Sequence, residues 1–72
     1  MSHDTPPLSE LITRKRAADG LTQRELAERL GVTRLSVIQW EAHGVLPSLA
    51  RTRVALADWL EVPLSTVMQE PT

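Results

Sequence analysis

Apolar positions along the chain recur at spacings of three and four residues, in short runs separated by Gly and Pro. This is the period of helices rather than strands. Leu8, Leu11, Ile12 and Ala18 mark a first helix. Thr5-Pro6-Pro7 signals its start, because proline is preorganised for a first turn and has no N–H to leave unpaired. Asp19-Gly20 ends it, and Arg14, Lys15 and Arg16 favour the C-terminal half of a helix. Thr22-Gln23-Arg24-Glu25 has the form of a capping box. Leu26, Ala27 and Leu30 then form a buried stripe, and Gly31 terminates this second helix. Val32 occupies the turn and Thr33 is a second N-cap, so the spacing predicts a third helix over 34–42 with Val37, Trp40 and Glu41 on one side. A loop over 43–47 leads to Ser48, which is placed to cap a fourth helix carrying Leu49, Val54, Leu56, Ala57 and Leu60. Val62-Pro63 breaks that helix, and Leu64, Val67 and Met68 suit one or two further turns. No alternation of period two is long enough for a strand, and there is no internal repeat. The predicted fold is all-α, a compact bundle of four to five short helices. The bundle is expected over 8–69, with an N-terminal extension over 1–7 and a tail over 70–72.

Composition narrows the chemistry. A chain of 72 residues fits one small domain with a thin core. It contains no cysteine, which excludes a disulfide, a thiolate zinc site and a thiol nucleophile. His3 and His43 are too few and too far apart in sequence to suggest a metal centre, and no cofactor is expected. No stretch approaches the ~20 apolar residues of a membrane span, and residues 1–7 lack the pattern of a signal peptide. The expectation is a soluble cytoplasmic domain. No spacing sets a nucleophile against a base, so no enzyme is expected, and no second domain offers a site for a small-molecule effector.

The formal charge is −1, which by itself speaks mildly against a nucleic-acid partner. Its distribution changes the picture. All eight basic residues lie between Arg14 and Arg53, alongside four acids, for a local charge of +4. Asp4, Glu10, Asp58, Glu61 and Glu70 carry −5 elsewhere. A basic middle lies between acidic ends.

Two short capped helices joined by a Gly-containing turn, over 22–30 and 33–42, have the form of a helix-turn-helix. The run Leu21-Thr22-Gln23-Arg24-Glu25-Leu26-Ala27-Glu28-Arg29-Leu30-Gly31-Val32-Thr33, with Trp40-Glu41-Ala42 and Pro47-Ser48 after it, resembles the lambda-repressor and Cro-like, XRE-type helix-turn-helix domains. The segment 57–64 resembles that family's fourth helix running into its fifth. The likeness spans about Leu8 to Met68. It implies a five-helix bundle whose third helix reads DNA, with Gln23 at a phosphate and Arg34, Leu35, Ile38 and Gln39 facing bases. Thr33, Ser36 and His43 are further candidate contacts, His43 being either a plain loop residue or a phosphate contact. The family also implies an ion pair between the first and third helices, which falls on Arg16 and Glu41.

A helical wheel supports the same face without the family: if Val37 points inward, Leu35, Ile38, Gln39 and Ala42 point away. Arg34 suits a bidentate contact to guanine and Gln39 one to adenine. Leu35 and Ile38 are bulky for an outward face. Three readings stay open, in this order: contacts to thymine methyls, part of a protein-binding patch, or core side chains on a rotated helix. Trp40 is expected to anchor the core, and Trp59 to be either core or a self-association surface. Two departures from the family stand out. His43-Gly44-Val45 replaces a glycine followed by basic residues, which predicts a shallow salt dependence. Glu61 stands where a glycine is usual, leaving the end of the fourth helix open.

The expected function is a sequence-specific double-stranded DNA-binding transcriptional regulator of bacterial or phage type. It would be nucleoid-associated and would act as a homodimeric repressor on a two-fold operator. The alternative is a protein-interaction module on the same fold, an antitoxin or a bridging factor, motivated by the low net charge and by Leu35 and Ile38.

Overall fold

Five helices follow one another in the computed structural model, which describes residues 7–68: α1 Leu8–Ala18, α2 Gln23–Leu30, α3 Arg34–His43, α4 Ala50–Leu60 and α5 Leu64–Met68. No strand occurs among the described residues. The expected extension 1–7 (Pro7 apart) and tail 70–72 lie outside them, as do the Thr5-Pro6 start signal, His3 and the Met68 side chain.

The helix ends follow from local chemistry. At α2 both halves of the capping box form: the Glu25 N–H donates to Thr22 Oγ1 (3.0 Å) and the Thr22 N–H donates to Glu25 Oε1 (2.8 Å). Gly31, at φ 74°, takes the left-handed conformation that closes α2. The Val32 N–H then reaches back to the Ala27 carbonyl at 2.9 Å. Thr33 caps α3 by accepting the Ser36 N–H at 3.2 Å.

Four details differ from the sequence reading. Pro7 occupies the N-cap of α1 rather than its first turn, and its carbonyl accepts from the Glu10 and Leu11 amides. Helix α3 extends one residue further, so His43 is helical and Gly44, left-handed at φ 66°, ends it. Ser48 does not cap α4. Leu49 is the N-cap and gives no side-chain bond, while Arg53 Nε donates to the Pro47 carbonyl at 2.6 Å and ties the approaching loop to the helix. Leu49 lies outside the helix rather than in it, and both it and Val54 are exposed. Val54 lies two residues from both Thr52 and Leu56, about 200° around the axis from each, and both of those are buried.

The core draws on every helix: Ile12 from α1, Leu26 and Ala27 from α2, Val37 and Trp40 from α3, Leu56, Ala57 and Leu60 from α4, and Val67 from α5. Ala18 and Leu64, although apolar, point out of it. Trp59 packs against the edge of this core. Its indole N–H is buried without an acceptor, and Lys15 Nζ stands 5.6 Å from the ring centroid, a cation–π distance. Helix α3 packs mainly against α1 and α2, and α5 against α4.

Helix α4 ends at Glu61 although no glycine is present. Glu61 is left-handed at φ 60°, the one non-glycine with positive φ among the described residues. The Val62 N–H closes onto the Ala57 carbonyl at 3.1 Å as it would behind a glycine. A side chain there costs about 1–2 kcal/mol, which glycine's greater freedom in the unfolded chain partly offsets. Glu61→Gly should therefore raise stability by about 0.5–1 kcal/mol, lifting the thermal midpoint by roughly 2–8 °C in a domain of this size. A lowered midpoint in a melting experiment would contradict the strain.

Candidate nucleic-acid interface

Val37 and Trp40 turn one side of α3 into the core, at 0% and 4% exposure. The opposite side is thereby directed outward. Arg34, Leu35, Gln39, Ala42 and His43 are exposed, while Ser36 and Ile38 are half-buried. Leu35 is 61% exposed, and neither it nor Ile38 belongs to the core, so the rotated-helix reading fails. Thr33 is exposed at the N-cap, and its hydroxyl lies 3.1 Å from that of Ser36. The set placed on this face by sequence is therefore collected on one side of one helix.

Gln23 is placed differently from the rest. It begins α2, where it was expected to meet a phosphate, but its Nε2 donates to Glu41 Oε1 at 3.1 Å. An amide carries two N–H donors, so this bond occupies one of them. Gln23 thus joins a larger brace. Arg16 Nε donates to Glu41 Oε2 at 2.7 Å and Nη2 to Oε1 at 3.0 Å, while Nη1 donates to the Leu21 carbonyl at 2.9 Å. The two parallel bonds make a bidentate, charge-assisted pair, and the side chains are only 20% and 9% exposed. Through Glu41 the brace ties α1, the start of α2 and α3 together.

Burial pushes the Glu41 carboxyl upward. Hydrogen bonds from Arg16 and Gln23, the Arg16 charge and the Thr13 hydroxyl outweigh that and hold it below its ordinary value. The bond to Glu41 keeps the Arg16 guanidinium protonated to still higher pH, against a smaller opposing effect of burial. Thr13 and the Leu21 carbonyl were not singled out from sequence. Only the folded path of α1 into α2 brings the Leu21 carbonyl to the Arg16 guanidinium.

Most of the remaining basic residues are spoken for or spread out. Arg14 pairs with Glu10, and Lys15 with Asp19 at 3.3 Å. Arg24, Arg29, Arg34 and Arg51 are exposed. Arg51 lines an open groove with Gly31, Val32, Thr33, Ser36 and Leu49, beside the start of α3. Sequence spacing gave no sign of that neighbourhood, because it arises where α4 begins next to the α2–α3 turn. The geometry offers guanidinium, amide and hydroxyl donors around an outward helix face. Among the described residues no cluster of His, Asp and Glu could hold a metal ion, and no helix is long and apolar enough to cross a membrane.

A family model described as helix-turn-helix matches residues 12–51, more than half of the chain and the whole of α2 and α3. No curated protein matches.

The brace has a measurable pH signature. The Glu41 carboxyl is depressed in the folded state, so its contribution is present above the unfolded value, near 4.5. That contribution is lost as pH falls through the folded value. Glu41→Gln, which keeps the shape and removes the charge, should cost about 1.5–3 kcal/mol at pH 7. In urea titrations the gap between the two proteins should narrow below about pH 4. An equal gap at pH 7 and pH 3 would show that the charge contributes nothing.

Proposed function

The chain belongs to the XRE/lambda-repressor-like helix-turn-helix family of DNA-binding regulators, and from that premise we propose that it is a sequence-specific transcriptional regulator that lays α3 in the major groove of double-stranded DNA. The observation that carries this reading is the division of α3. Val37, Trp40 and the Glu41 brace hold one side, and Arg34 and Gln39 project from the other.

In this reading the unit spanning 8–69 docks through contacts that carry no sequence information: the free N–H of Gln23, the first amides of α2, Arg51 and His43 toward phosphates. Arg34 then takes a guanine edge and Gln39 an adenine edge, with Thr33 and Ser36 at the groove wall. Occupation of an operator represses transcription. Two copies on a palindrome would place the half-sites about 34 Å apart, at the nucleoid in the bacterial cytoplasm.

The exposed Leu35 and the net charge of −1 favour a second reading, in which the same face holds a protein. Selection of duplexes from a random pool at two salt concentrations separates the two. A palindromic consensus is expected. Arg34→Ala and Gln39→Ala should each lose about 1–3 kcal/mol of preference at one base pair, while Gln23→Ala, which removes a phosphate donor and a brace bond to Glu41, should weaken every duplex without singling out one base pair. No enrichment at either salt, together with a stoichiometric protein partner, would favour the second reading.

A further inference from the structure

We propose that Leu35 and Ile38 make α3 a reader of the pyrimidine 5-methyl group, so that thymine and 5-methylcytosine are both favoured over their unmethylated counterparts; this rests on the major-groove reading above. The two residues are one helical step apart at i and i+3, with Ala42 at i+7 of Leu35, so they form one stripe along the outward face. Leu35 is 61% exposed and Ile38 half-buried. Neither packs against the core cluster. Arg34 and Gln39 flank the pair with hydrogen-bonding groups.

In the major groove the feature that an aliphatic side chain can meet favourably is the methyl at pyrimidine C5. Thymine carries it, and 5-methylcytosine carries it at the same ring position. Deoxyuridine and cytosine do not. Pressed against an exocyclic amine or carbonyl instead, Leu35 or Ile38 would strip water from a polar group and return no hydrogen bond, which penalises the wrong base. Along the axis the two residues are about 4.5 Å apart, against 3.4 Å between base pairs. The methyls they meet therefore lie on the same or adjoining base pairs.

Size favours DNA over protein as the occupant. Two aliphatic side chains and an alanine make a stripe roughly 10 Å long. A stable protein interface needs about 800 Å² from each partner. The narrow stripe between polar donors matches one or two methyl groups much better.

The test uses the full chain and the duplex selected from the random pool, with each thymine replaced in turn by deoxyuridine. Loss of one buried methyl should weaken binding roughly fourfold at one or two adjoining positions per half-site, and not elsewhere. At such a position 5-methylcytosine should bind roughly fourfold more tightly than cytosine. Leu35→Ala or Ile38→Ala, checked for helical content by circular dichroism, should bind thymine and deoxyuridine equally at its own position. Sequence-selective binding that no deoxyuridine weakens would overturn the methyl reading, leave the DNA reading standing, and return the apolar pair to a protein partner. Absence of any duplex binding would remove the DNA reading, and the methyl reading with it.

Discussion

Arg16 and Glu41 join α1 to α3 through two parallel hydrogen bonds of 2.7 and 3.0 Å, and that joint, together with the burial of Val37 and Trp40, sets the direction of the outward side chains on α3. Val37 and Trp40 fix which side faces inward, yet apolar contacts are non-directional and tolerate small rotations. A bidentate guanidinium–carboxylate pair does not, because both bonds weaken when either plane tilts. Desolvating two charges offsets much of what such a pair contributes to net stability. Its consequence here is geometric. Gln23 enters the same carboxylate from the start of α2, so the two helices of the motif are referenced to one oxygen atom pair.

How much of this was legible from sequence depended on the distance over which each interaction acts. The Thr22–Glu25 box, the Gly31 stop and the Thr33 cap are all decided within four residues, and all three form as read. Ser48 does not cap α4 because the loop that carries it is held by Arg53 on the Pro47 carbonyl, and the helix begins one residue later than the hydroxyl requires. Val54 shows that an apolar residue inside a helix is no guarantee of burial when its phase is wrong. The Arg16–Glu41 pair, 25 residues apart, was reachable only through a family resemblance, since local spacing does not encode it. The bond from Gln23 to the same carboxylate and the position of Arg51 beside the α2–α3 turn were not reached at all. Both depend on how whole helices meet.

The charge distribution acquires a narrower meaning in the folded chain. The middle of the chain carries a local charge of +4, but several of those cations are engaged within the fold. Arg16 is turned into the brace, Arg14 and Lys15 sit beside Glu10 and Asp19, and Arg53 Nε holds the Pro47 carbonyl. Arg24, Arg29, Arg34 and Arg51 are the exposed remainder, and they are spread over α2, α3 and α4. Each phosphate neutralised contributes about −0.9 to the salt slope of binding, so a handful of dispersed arginines supports only a shallow one.

That limit shifts the source of discrimination to short range. A strongly basic module can hold any duplex and select among them weakly. A module with few free cations must draw its affinity from contacts that exist only at the right sequence. In the proposed reading those contacts on α3 are of two kinds, side by side: Arg34 and Gln39, which match hydrogen-bonding edges, and Leu35 and Ile38, which gain only where the groove is apolar. The second kind is demanding of position, because contact between aliphatic groups fades within about an ångström of added separation. An aliphatic reader is thus useful only on a helix whose orientation is fixed. In the proposed reading the brace from Arg16 through Glu41 to Gln23 supplies that constraint, and the part-buried ion pair and the exposed leucine act as two parts of one recognition device.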